Sequence, residues 1–174
     1  MRQSEFRKKQ PVKWMTTTAL LMAMTTVMSS FSIPVPGGHL YLCDVVICTA
    51  AILLDPLGAF IVGGIGSFLG DFFFYPAPMF VSLVSHGLQA VVISLIVRRA
   101  KPERRGRAAL LGVLLGGVIM VTGYTLGRAF IYSTPEYAVL KLPFEILQAA
   151  IGAAAALLLC FRSGLLPFWD RFTR

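Results

Sequence analysis

Eight polar or ionisable side chains interrupt otherwise apolar stretches of this chain: Asp44, Asp71, His86, Gln89, Tyr124, Arg128, Glu145 and Gln148. Acids, an imidazole, a guanidinium, amides and a phenol can together hydrogen-bond the edges of a small polar ring and neutralise a charge on it. Covalent chemistry has no matching set. The chain lacks the G-x-x-x-x-G-K-[ST] phosphate loop, the H-E-x-x-H zinc pair and the G-x-S-x-G elbow. His39 and His86 are far apart in sequence, and Cys43, Cys48 and Cys160 fit neither a metal spacing nor a disulfide framework. The expectation is a binding protein without catalytic residues, metal or cofactor.

Something must hold those side chains inside apolar surroundings. The chain has 174 residues, is 56% hydrophobic and only 14% charged, and its mean hydropathy is +0.75. Its charges cluster between long uncharged runs. That pattern predicts an all-α polytopic membrane protein. The alternating short strands of a membrane barrel are absent. Six spans are expected: about 14–31, 41–54, 57–74, 79–97, 108–130 and 138–161. The second is short for a crossing, which takes about 20 residues, so it is shielded by its neighbours, begins in the headgroups or dips part-way. Between the first two, Ile33-Pro-Val-Pro-Gly-Gly-His-Leu40 reads as an irregular loop that could fold over a site. Asp55-Pro56 reads as a helix stop and restart, with Asp55 as N-cap. Gly63-Gly-Ile-Gly66 is no dinucleotide fingerprint, because no strand precedes it.

The basic residues give the orientation. Arg2, Arg7, Lys8, Lys9 and Lys13 precede the first span. Arg98, Arg99, Lys101, Arg104, Arg105 and Arg107 surround the loop after the fourth, and Arg162, Arg171 and Arg174 end the chain. With six spans these fourteen of 16 Lys and Arg residues fall on one side, which predicts cytoplasmic termini and excludes a nucleic-acid role for the net charge. The whole chain, 1–174, is then one six-helix domain with a basic N-terminus (1–13) and a basic tail (162–174). Arg128 and Lys141 remain; Lys141 is expected to snorkel to the surface.

On this topology all eight polar residues fall in the outer half of the bilayer. Helical spacing puts Ser82, His86 and Gln89 on one face, as it does Ser67 and Asp71, Tyr124 and Arg128, and Glu145 and Gln148. An intramembrane ionisable group is costly and marks function. Each also has a structural alternative: Arg128 pairing with Glu145 or Asp71, His86 bonding between helices, Asp44 capping its helix. Their convergence predicts an outward polar pocket with Asp44 and Asp71 in its walls. Ala19-Leu-Leu-Met-Ala23 is a small-xxx-small spacing suited to a close helix contact, within the bundle or with another protein.

These residues carry a resemblance. Leu42-Cys-Asp44, Leu53-Leu-Asp-Pro-Leu-Gly58, Gly63-Gly-Ile-Gly-Ser67, Asp71, Tyr75-Pro76, Pro78, Leu142-Pro143 and Gln148 resemble the substrate-binding S components of energy-coupling factor (ECF) vitamin transporters, in their riboflavin/hydroxymethylpyrimidine-type branch. The chain departs at Asp55, often Gly in the family, at His86-Gly-Leu-Gln-Ala90, often Lys-Gly-Leu-Glu/Met-Gly, and at Glu145, often Asn. The last two changes bear on substrate identity. The resemblance implies a multi-pass subunit of a bacterial (prokaryotic) cell membrane. It would capture a small heteroaromatic vitamin or precursor of the hydroxymethylpyrimidine, pyridoxine, riboflavin or queuosine-precursor class. Its partners would be an ECF transmembrane coupling protein, touched through Ala19 and Ala23, and two ABC ATPases that hydrolyse ATP. The 33–40 loop would be a gate. A stand-alone carrier or channel is the alternative; the absence of inverted repeats weighs against it.

Overall fold

The computed structural model describes residues 3–173, so Arg2 and Arg174 of the basic clusters lie outside the described residues. The chain begins with α1 (Gln3–Lys9) and α2 (Pro11–Met28). A two-stranded antiparallel hairpin follows, β1 (Ser32–Val35) and β2 (Gly38–Tyr41), with Ser32 opposite Tyr41 and Val35 opposite Gly38. The expected irregular loop is therefore ordered. Its four-residue strands are too short, and its prolines too many, for alternation to reveal them. Gly37 turns the corner at φ 82°, in the left-handed region that favours glycine.

The remainder is helical: α3 (Cys43–Leu53), α4 (Pro56–Phe74), α5 (Met79–Arg99), α6 (Pro102–Tyr132), α7 (Pro135–Phe161) and α8 (Leu165–Phe172). The last four before α8 are long and apolar enough to cross a membrane. Exposed Val118, Phe130, Val139 and Leu158 give their outer faces an apolar surface, suited to lipid as solvent. The protein is an all-α membrane protein. Helix α3 has 11 residues, and all but Val45 are buried. Its neighbours shield it, one of the arrangements its length allowed.

Small residues bring these helices close. A Cβ on Gly70 of α4 would lie 2.5 Å from the Ser29 hydroxyl beyond α2, one on Gly127 of α6 2.6 Å from Val81 of α5, and one on Gly152 of α7 2.5 Å from Asp44 Cβ of α3. Two stretches widen to π geometry, Ile61–Ile65 within α4 and Arg128–Tyr132 at the end of α6. Such turns re-aim the side chains they carry.

The two ends of the bundle differ. At one, Asp55 caps α4 by accepting from the Gly58 amide at 3.3 Å, as expected. It also accepts from Trp14 Nε1 at 2.8 Å and pairs with Arg7 at 3.1 Å. The tail is an amphipathic helix, α8, whose Trp169 is buried edge-on against Phe6 of α1 at 5.6 Å. Arg105 meets Asp170 at 3.2 Å beside it. The other end carries the hairpin, the starts of α3, α5 and α7, and the ends of α4 and α6.

Candidate functional site

A cavity of about 150 Å³ opens beneath the hairpin. Of the eight polar residues singled out in sequence, Asp71, His86, Tyr124, Arg128, Glu145 and Gln148 line it. Asp44 and Gln89 do not. Both are buried behind its floor, 1% exposed, because Gly152 admits α3 so closely to α7 that Asp44 sits between helices. Asp44 is no helix cap either: Leu42 holds the cap position, and no side chain caps there.

Instead Asp44 organises the floor. Its Oδ2 accepts from Gln148 Nε2 at 2.7 Å and its Oδ1 from Gln89 Nε2 at 3.0 Å. Gln148 Oε1 accepts the Tyr41 backbone N–H at 2.9 Å, and Gln89 Oε1 meets His86 Nδ1 at 2.7 Å. A backbone N–H can only donate, which fixes the Gln148 amide with its nitrogen toward Asp44. The carboxylate can only accept, which fixes Gln89 likewise and leaves His86 Nδ1 as the donor to Oε1. Two chain-distant amides thus hold a buried carboxylate and orient an imidazole, as buried polar groups require.

One wall is built by α4, α5 and α6. Asp71 Oδ2 accepts from the Ser82 hydroxyl, which also meets the Tyr124 hydroxyl. Ser82 has one proton and gives it to the carboxylate, so Tyr124 is the donor to Ser82. The His86 ring stands edge-on to Tyr124 at 5.2 Å.

The lining also carries two cations, Arg128 and Lys141. Arg128 Nη2 pairs with Glu145 Oε1 at 3.2 Å, the first of its two sequence-level alternatives, and Nη1 donates to the Gly37 carbonyl at 3.3 Å. Thr125 supports Glu145 at 3.3 Å. Lys141 does not snorkel: it is 2% exposed, lines the cavity, and its Nζ donates to the His39 carbonyl. The flexible stem that permits snorkelling also permits this, and the hairpin above it supplies the acceptor. Nothing in local sequence announces a hairpin carbonyl a hundred residues away.

Sequence reasoning also missed Tyr41, Cys43 and Tyr75 in the lining, while helical spacing does put Tyr132 on the stripe of Tyr124 and Arg128. Tyr75 was legible as a helix-end tyrosine, but interface anchoring explains such a tyrosine equally well. Three buried polar atoms on the lining residues have no partner: Ser67 Oγ, Arg128 Nε and Tyr132 Oη. Cys43, Asp44 and His86 bring potential metal-ligand atoms within 4.8 Å of one another. The amides already occupy both Asp44 oxygens and His86 Nδ1, so this donor set fits a hydrogen-bonded floor better than a metal.

Residues 9–162 match the family described as ECF-type riboflavin transporter, S component. The chain belongs to the S components of ECF transporters. It is 33% identical over 131 residues to an uncharacterised Pyrococcus woesei protein from a gap 3' region, covering 75% of this chain and 86% of that one. As an S component it is the substrate-binding subunit of a transporter, embedded in the membrane by several helices, and not an enzyme. S components bind vitamin-like substrates and work with partners of an ECF module.

Proposed function

We propose that this S component captures a small heteroaromatic vitamin or vitamin precursor with high affinity from outside the cell and delivers it for ATP-driven uptake. The observation that carries this reading is the cavity lined by both charge signs, on whose lining residues three buried polar atoms have no partner among the described residues. A buried polar atom without a partner costs about 1–3 kcal/mol. A ligand that supplies the missing bonds relieves that cost on binding. Asp71, His86, Tyr124, Arg128, Glu145 and Gln148 would contact it, with Asp44 and Gln89 holding the floor.

Six crossings with both termini in the cytoplasm fit the placement of charge. The basic loop and the Arg7, Arg105 and Asp55 contacts share the end opposite the cavity, which then faces outward under the positive-inside rule. The hairpin over the cavity would be the gate. Ala19 and Ala23 are both exposed on α2, as a surface for a transmembrane coupling protein must be; two ABC ATPases would drive the cycle. The test is uptake by vesicles containing this chain with and without a reconstituted ECF module. Uptake that requires both the module and ATP supports the reading. Equal uptake by the chain alone refutes it in favour of a stand-alone carrier.

A further inference from the structure

The cavity walls are not balanced, and the imbalance names a ligand edge. Arg128 is paired with Glu145, and Lys141 is held by the His39 carbonyl. Asp44 behind the floor takes two amide donors. Asp71 has no arginine or lysine partner among the described residues. Its one side-chain hydrogen bond is from Ser82, to Oδ2. Oδ1 has no donor among the described residues, and Asp71, only 9% exposed, lines the cavity.

The neighbouring groups do not compensate. The Ser82 proton goes to Asp71 and the Tyr124 proton to Ser82. Both hydroxyl protons are used inside the wall, so it turns oxygen lone pairs toward the cavity. His86 has committed Nδ1–H to Gln89. A ligand edge here must bring N–H donors, and a positive charge on that edge would neutralise Asp71. Arg128, also in the lining, has an Nε without an acceptor among the described residues. Tyr41, Tyr75, Tyr124 and Tyr132 also line the space, and flat aromatic faces suit a flat ring.

We propose that Asp71 anchors the amidinium-type edge of an aminated nitrogen heterocycle, a protonated ring nitrogen beside an exocyclic amino group, with an acceptor substituent directed to Arg128. This deepens the transport reading and rests on it. A ring with carbonyls on both sides of its N–H would set oxygen lone pairs against the Asp71 carboxylate and the Tyr124 oxygen. Such dioxo rings are disfavoured by the same wall that holds the amino ring.

The test is calorimetric binding to the purified full-length protein in lipid nanodiscs. The probes are 5-hydroxymethylpyrimidines in matched 4-amino and 4-oxo forms, with riboflavin as the dioxo comparison. The 4-amino probe binds more tightly than its 4-oxo partner by about tenfold or more, and more tightly than riboflavin. Asp71→Asn removes most of that preference by weakening the amino probe and leaving the oxo probe nearly unchanged. Equal or reversed preference in the native protein, binding of riboflavin alone, or no binding of any amino probe overturns the proposal. So does a folded Asp71→Asn protein that keeps the preference. ATP-dependent uptake of an oxo ring through an ECF module would overturn the Asp71 anchor and leave the transport reading intact. Amino-ring binding without module-dependent uptake would do the reverse.

Discussion

Glu145→Ala should separate what the Arg128–Glu145 pair does for the fold from what it does for the ligand. Glu145 is buried and Arg128 nearly so, at 4% and 11% side-chain exposure, with 3.2 Å between charged atoms. Removing the carboxylate leaves Arg128 with the Gly37 carbonyl at 3.3 Å and the Tyr132 ring 5.2 Å away. An orphaned buried charge of this kind costs about 3–5 kcal/mol. Replacing both partners with apolar side chains of similar volume, Arg128→Met with Glu145→Leu, removes the orphan and should return stability to within about 1 kcal/mol of the native protein. Ligand affinity should not return. The double variant lacks the Arg128 Nε donor, and a hydrogen bond to a charged group contributes about 1.5–3 kcal/mol, or roughly ten- to hundredfold in affinity. Thermal unfolding in nanodiscs reads the first effect, and binding of the co-purified ligand, once identified by mass spectrometry, reads the second. Native-like affinity in the double variant would show that the pair is structural only. Unchanged stability in Glu145→Ala would show that water reaches the pair.

Other outcomes follow from contacts elsewhere in the bundle. Ala19→Trp, on the exposed face of α2, should abolish module-dependent uptake and leave ligand binding intact; normal uptake would remove that face as the coupling surface. Gly152→Val should push α3 from α7, because its Cβ would meet Asp44 Cβ at 2.5 Å. Overpacking of this kind costs about 1–3 kcal/mol, and calorimetry should show weaker binding as the floor shifts. Trp14→Phe removes the 2.8 Å bond to Asp55. It should lower the unfolding midpoint, by about 1.5–3 kcal/mol of stability, without changing affinity at the opposite end.

The sequence made the helices legible and hid the geometry between them. Five of the six expected spans begin or end close to α3, α4, α5, α6 and α7, because long apolar runs bounded by Pro56, Pro76 and Arg98-Arg99 leave little choice. The first span is displaced: α2 starts at Pro11 rather than Trp14 and stops at Met28, since Pro at the first helical turn extends it and Ser29-Ser30 frays it. Helical spacing correctly grouped Ser82 with His86 and Gln89 on α5, but spacing carries no depth behind a neighbour. Gln89 and Asp44 fall behind the floor because of Gly152 on a different helix. Lys141 was misread for the same reason, as its acceptor lies on the hairpin. What local pattern cannot encode is which distant backbone a long side chain will meet.

The two ends of the molecule apply one physical rule with opposite results. Asp55 has its charge met by Arg7 and its oxygens bonded by Trp14 and the Gly58 amide. A buried carboxylate so fully satisfied stabilises one arrangement and offers nothing to a newcomer. Asp44 is of the same kind, with an amide on each oxygen. Asp71 has a single hydroxyl donor, and Ser67 Oγ, Arg128 Nε and Tyr132 Oη around the same cavity have none. The bundle can bear these unmet groups because the closely packed glycine contacts and the Asp55 cluster hold its helices without them. Gln10 Oε1 and Thr18 Oγ1, away from the cavity, also lack partners, but neither belongs to an acid; among the buried aspartates it is the number of donors that separates a carboxylate that holds the fold from one that awaits a ligand. By that criterion Asp71, and not Asp44 or Asp55, is the acid whose substitution should change binding more than stability.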